Sequence, residues 1–91
     1  MLATYTGPER RWMRSRPHRV WTDRDHHFAN QRALEYGRSA DLLLGMHDRA
    51  KDRAKKDALW NGYWFVREKR DYYRGRIAEE AAAWFDGSAF Q

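Results

Sequence analysis

Downstream of residue 21, the apolar positions of this 91-residue chain recur at helical spacing. Leu43, Met46, Ala50, Ala54, Asp57 and Ala58 follow one another at intervals of three and four, broken only by the adjacent last pair. Val66, Tyr73, Ile77, Ala81 and Trp84 follow at spacings of seven, four, four and three. Those intervals trace single helix faces. A weaker stripe, Phe28, Ala29, Ala33 and Tyr36, is interrupted by Arg32, whose stem can lie along apolar surface while its guanidinium reaches water. The pattern predicts three helices, over residues 23–36, 40–60 and 63–85.

Local signals set the expected ends. Thr22 reads as an N-cap, with Asp23 and Asp25 in the first turn where carboxylates favour the positive end of the helix dipole. Gly37 reads as a C-terminal stop and Ser39 as the next cap. Asn61-Gly62, flanked by Trp60 and Tyr63, has the form of a two-residue β-hairpin turn. Helical charge patterns on both sides favour a helix–helix junction instead. Asp86-Gly87-Ser88 closes the last helix, and Asp52 precedes Lys56 in the order of a surface i,i+4 pair.

Side-chain size suggests the pairing. Ala50, Ala54 and Ala58 make a small face, and Tyr73, Ile77 and Trp84 are large knobs that can enter it. A short connection makes the two helices antiparallel. The fold expected is all-α: a small three-helix arrangement built on an antiparallel helical hairpin, preceded by an extended basic N-terminal arm.

Charge distinguishes that arm. Residues 1–21 carry Arg10, Arg11, Arg14, Arg16 and Arg19 against Glu9, a net of +4 out of the chain's +5. Residues 22–91 form a nearly neutral body with 13 basic and 12 acidic side chains. A concentrated field of one sign recruits a partner of the other. Size and composition narrow the rest. A chain this short has a small core and marginal stability, and with no cysteine it has neither disulfide nor thiolate chemistry. The composition fits an intracellular, reducing compartment, cytoplasmic or an organellar matrix. No apolar run reaches the length of a membrane span.

Candidate chemistry is thin. Arg14-Ser15-Arg16-Pro17 resembles the Arg-Gly-Arg-Pro core of an AT-hook, but Ser15 replaces the glycine that lets the backbone lie deep in the minor groove. Asp25-His26-His27 with Asn30 and His47 resembles an HNH nuclease only in residue type, because adjacent histidines on a helix point roughly 100° apart. The glycines are isolated, which excludes a phosphate loop. Neither a metal nor another cofactor is expected, and no enzymatic activity.

Binding residues are better marked. Trp12 and Trp21 sit among the arm's arginines. Trp60, Tyr63, Trp64 and Phe65 fall at about 100° steps and cannot all enter one small core. Arg67, Arg70 and Arg74 share one helix side at i, i+3 and i+7. The expectation is a protein-binding module, either a small subunit of a larger assembly or a modulator of a partner with an acidic surface. Its contact residues would be Arg10, Arg11, Trp12, Arg14, Arg16, Arg19, Trp21, Trp60, Trp64, Arg67, Arg70 and Arg74. The alternative is DNA or RNA binding by the arm and the face from Arg67 to Arg76.

Overall fold

A computed structural model describes residues 5–15 and 20–83. The expected all-α class holds. The described residues form α1 (Gly7–Ser15), α2 (Asp23–Arg49) and α3 (Arg53–Ala83), with no strand among them. As numbers rise along α2 they fall along α3: Tyr36 stacks on Tyr73, Gly37 faces Arg70 and Arg74, Leu43 faces Gly62, and His47 lies on Trp60. The two long helices are therefore antiparallel.

Helix breaks fall elsewhere than the sequence signals imply. Gly37 does not stop a helix. It is buried inside α2, where a Cβ would meet Arg70 Cδ at 3.6 Å and Arg74 Nη2 at 3.7 Å. These are ordinary contact distances to the α3 side chains, and helix packing overrides the signal of a terminus. Asn61-Gly62 is likewise interior to α3, with Gly62 against Leu43. The chain turns instead at residues 50–52. The Ala50 N–H donates to the Met46 and His47 carbonyls, and Asp52 accepts from the Lys55 N–H at 2.9 Å. Asp52 is thus the N-cap of α3, a use of its carboxylate that competes with the surface pair to Lys56.

Small against large does organise the contact, with different residues from those expected. Ala54 and Ala58 lie at the start of α3, Ala54 exposed, and Ala50 lies in the turn. The small face is Ala29, Ala33, Gly37 and Ala40 of α2, all buried. Tyr73, fully buried, packs in the cluster of Trp12, Met13, Trp21, Ala29 and Ala33. Ile77 is only partly buried beside that cluster, and Trp84 lies outside the described residues.

The N-terminal segment is not an extended arm over residues 7–15. Thr6 and Glu9 exchange the two hydrogen bonds of a capping box: the Thr6 N–H donates to Glu9 Oε1 and the Glu9 N–H to Thr6 Oγ1. The α1 helix they start lays Trp12 on Phe28, Trp21 and Tyr73 at ring-centroid distances of 5.1, 5.4 and 5.8 Å. Thr22 and Asp25 form a second box at the head of α2, and Asp25 Oδ1 also accepts from Trp12 Nε1 at 3.3 Å.

Glu9 completes the docking. Its carboxylate is fully buried and accepts from Tyr73 Oη at 2.6 Å and Tyr36 Oη at 3.0 Å. Burial pushes its pKa up, but hydrogen bonds from Tyr73, from the Thr6 backbone and from Tyr36 outweigh that and hold it below 4.5. The tyrosines shift the other way. Burial first, then donation to Glu9, raises Tyr36 to about 12 and raises Tyr73 as well.

These contacts set three expected outcomes. Gly75 is exposed, and a Cβ at that position would enter open space with nothing within 4 Å. Gly75→Ala should therefore raise the urea midpoint, by about 0.5–1 kcal/mol of stability. Tyr73→Phe should lower it by about 1.5–3 kcal/mol, the range for a hydrogen bond to a charged group. A depressed carboxylate contributes stability present above 4.5 and lost as pH falls through its folded value; a raised tyrosine contributes stability present below 10.0 and lost as pH rises. Denaturation followed by circular dichroism should therefore show both limits, with the acid limb flattened in Glu9→Gln.

Candidate functional site

The α1 helix covers only one end of the hairpin. Its nine residues span about 13 Å, against about 46 Å for the 31 residues of α3. Its partners are Phe28, Tyr36 and Tyr73, and Tyr5 just before it lies on Tyr72 at 5.8 Å. Beyond that end the core stops: from Asp41 to Gly62 no residue is buried. Yet this half holds much of the exposed apolar surface, including Leu42, Met46 and Trp60, with Trp64 and Phe65 adjoining.

The α3 residues expected to bind a partner fall into one strip. Trp60, Trp64, Arg67, Asp71 and Arg74 succeed one another at four, three, four and three residues, the spacing of a helix-packing seam. Trp60 and Trp64 are each 41% exposed and meet edge to face at 5.8 Å. The Arg67 guanidinium lies over the Trp64 ring at 4.5 Å and donates to Tyr63 Oη at 3.3 Å. Its Nε is 3.7 Å from Asp71 Oδ2, an ion-pair distance without a hydrogen bond. Arg70 donates to Asp71 Oδ1 through Nε and Nη2 at 3.0 and 2.9 Å, its stem lying over Gly37. Arg74 is exposed beside the same glycine. As the 100° steps require, only Tyr63 of the aromatic cluster is buried.

The N-terminal candidates divide. Trp12 and Trp21 are core residues, 8% and 7% exposed, because the apolar area that α1 gathers is what docks it. They present no free ring to a partner. Arg11 and Arg14 are exposed and Arg10 is half-buried, while Arg16 and Arg19 lie outside the described residues. Arg74 lies away from the α1 side of α3. Tyr72 faces the α1 side, and Arg74, two residues on, points roughly 160° away toward Gly37.

Two site-shaping groups are less visible in the sequence. Glu9 is legible only as the acid of a Thr-x-x-Glu box before Trp12-Met13. Lys69, which the charge pattern places among surface cations, is 4% exposed. Its Nζ sits 3.1 Å from the centroid of the Phe65 ring and 5.3 Å from that of Tyr5. Burial lowers its pKa, partly opposed by the charges of Glu9 and Glu68. No sequence signal distinguishes it from Arg70. Among the described residues no three His, Asp or Glu side chains converge as for a metal, and no helix is long and apolar enough to cross a membrane. His26 lies on Trp21 and His47 on Trp60.

Comparison with protein-family models, with curated proteins and with solved structures returns no match to this chain.

The strip has an optical signature. Iodide should quench Trp64 more than caesium does, because Arg67 holds a positive charge against its ring. The difference between wild-type and Trp64→Phe emission isolates that residue, and Arg67→Ala should bring the two quenchers closer together.

Proposed function

We propose that the chain is a non-enzymatic protein-binding module that docks through the Trp60, Trp64, Arg67, Arg70 and Arg74 strip of α3. One observation carries this reading: the half of the hairpin from Asp41 to Gly62 buries no residue, yet it presents tryptophan and adjoins stacked arginine. A helical pair without a core of its own gains by burying its apolar side against another chain. Tryptophan and arginine are among the residues most enriched where interface energy concentrates. Arg67, already ordered over Trp64, would lose little side-chain freedom on binding.

The charge arrangement also supports protein over nucleic acid. Phosphate binding strengthens with the number of cations free to replace counterions. Here Arg67 and Arg70 already share Asp71, Lys69 is buried, and Arg76 donates to Glu79 at 2.8 Å.

The test uses the immobilised full chain and a Trp60→Ala/Trp64→Ala variant whose helicity is checked by circular dichroism. Exposed to lysate of its source, the wild type should retain protein that the variant loses. A parallel shift assay with duplex DNA and structured RNA at two salt concentrations should show no steep salt-dependent complex. Nucleic-acid binding that survives in the variant, with no protein retained by the wild type, would overturn the proposal.

A further inference from the structure

The exposed seam of α3 has a chemistry that specifies more than "a protein". Its residues repeat at alternating four and three, the interval at which a second helix sets its own side chains between them. The seam is also polarised along its length. Trp60 and Trp64 make an aromatic end, and Arg67, Arg70 and Arg74 make a cationic end with Asp71 between them, a net of +2. From Trp60 to Arg74 the seam runs about 21 Å, roughly four helical turns.

Resting on the docking function just proposed, we infer that the occupant of this seam is an amphipathic helix of about four turns, apolar at one end and acidic at the other. Its apolar residues lie on Trp60 and Trp64. Its carboxylates, about one to three turns further on, meet Arg74 and the outward edges of Arg67 and Arg70. Charge complementarity selects this occupant over a second copy of the chain. Two seams of net +2 would repel wherever their arginine ends met, and even an antiparallel pairing would leave the charge of both seams unneutralised, which an acidic occupant does not. It also selects a helix over a phosphate backbone. Asp71 holds two of the three guanidinium groups in fixed directions, and a partner that brings apolar surface together with a few acids uses both ends of the seam. Arg38, exposed and next to Gly37, adds positive charge from α2 near the cationic end.

The probe is a synthetic helical peptide of about four turns with leucines on one face of its first half and glutamates on the same face of its second half. A lysine-for-glutamate version, a scrambled version and a short DNA duplex serve as comparisons. Binding to the full chain is read by anisotropy of the labelled probe. The glutamate peptide should bind at least about ten times more tightly than the lysine peptide, and Trp64→Ala should weaken it by about tenfold or more. An Arg67→Glu/Arg74→Glu variant should invert the order and bind the lysine peptide better. Retention of helicity by circular dichroism separates this exchange from unfolding.

Equal binding of the two charged peptides, no binding of either, or preference for the duplex would overturn the inference. The docking function fails separately: it falls if the wild type retains no protein from lysate. It stands without the acidic helix if retention is lost with the tryptophans but is indifferent to Arg67→Glu/Arg74→Glu.

Discussion

One buried carboxylate holds this molecule's three helices in register. Glu9 has no solvent exposure, belongs to α1, and takes hydrogen bonds from Tyr36 of α2 and Tyr73 of α3. Ionised groups are rarely buried, since desolvation penalises the charge heavily. Here a neutral hydroxyl from each long helix and a backbone N–H from its own capping box replace the lost water. The result is directional where a purely apolar contact would not be. A chain with a small core and no disulfide can slide one helix over another without much loss of buried area; a carboxylate that needs two particular hydroxyls cannot. Asp25 repeats the device at smaller scale, joining the head of α2 to the Trp12 indole.

The sequence exposed the helices but not where they stop. Period 3.6 is plain in the stripes through Ala29, Ala33 and Tyr73, and Thr22 is readable as a cap because its partner Asp25 lies only three residues away. Gly37 and Asn61-Gly62 mislead for a single reason. A glycine's local signal is termination, and packing against the facing helix overrides it at both positions. The true turn at residues 50–52 carries no glycine or proline. Its signal is Asp52 three residues before the Lys55 amide, which also looks like half of a surface ion pair. The candidate site is legible in part. Trp60, Trp64, Arg67, Arg70 and Arg74 do share a strip, since their spacing alone places them there. That Trp12 and Trp21 belong to the core is not legible, because nothing local separates a tryptophan that docks a helix from one that awaits a partner.

Folding also redistributes the charge that dominates the composition. The surplus of the first 21 residues counts as one block along the chain. In three dimensions α1 turns its apolar side inward and carries its exposed Arg14 over one face of the hairpin. On α3, Arg67, Arg70 and Arg74 are set beside an aromatic ring, an aspartate and a glycine. Cations already engaged by neighbours within the fold make only moderately positive surfaces. Such surfaces suit recognition by shape and a few charges better than attraction to a polyanion.

The bond from Tyr73 to Glu9 joins residues 64 apart in the chain. During synthesis, Glu9 and Trp12 leave the ribosome long before Tyr73 exists. Until α3 reaches Tyr73, the N-terminal segment has only part of its seat: Trp21, Asp25 and Phe28 for the indole ring and Tyr36 for the carboxylate. The order of translation thus leaves the seat of α1 unfinished until α3 arrives, although α1 is the first helix to be made.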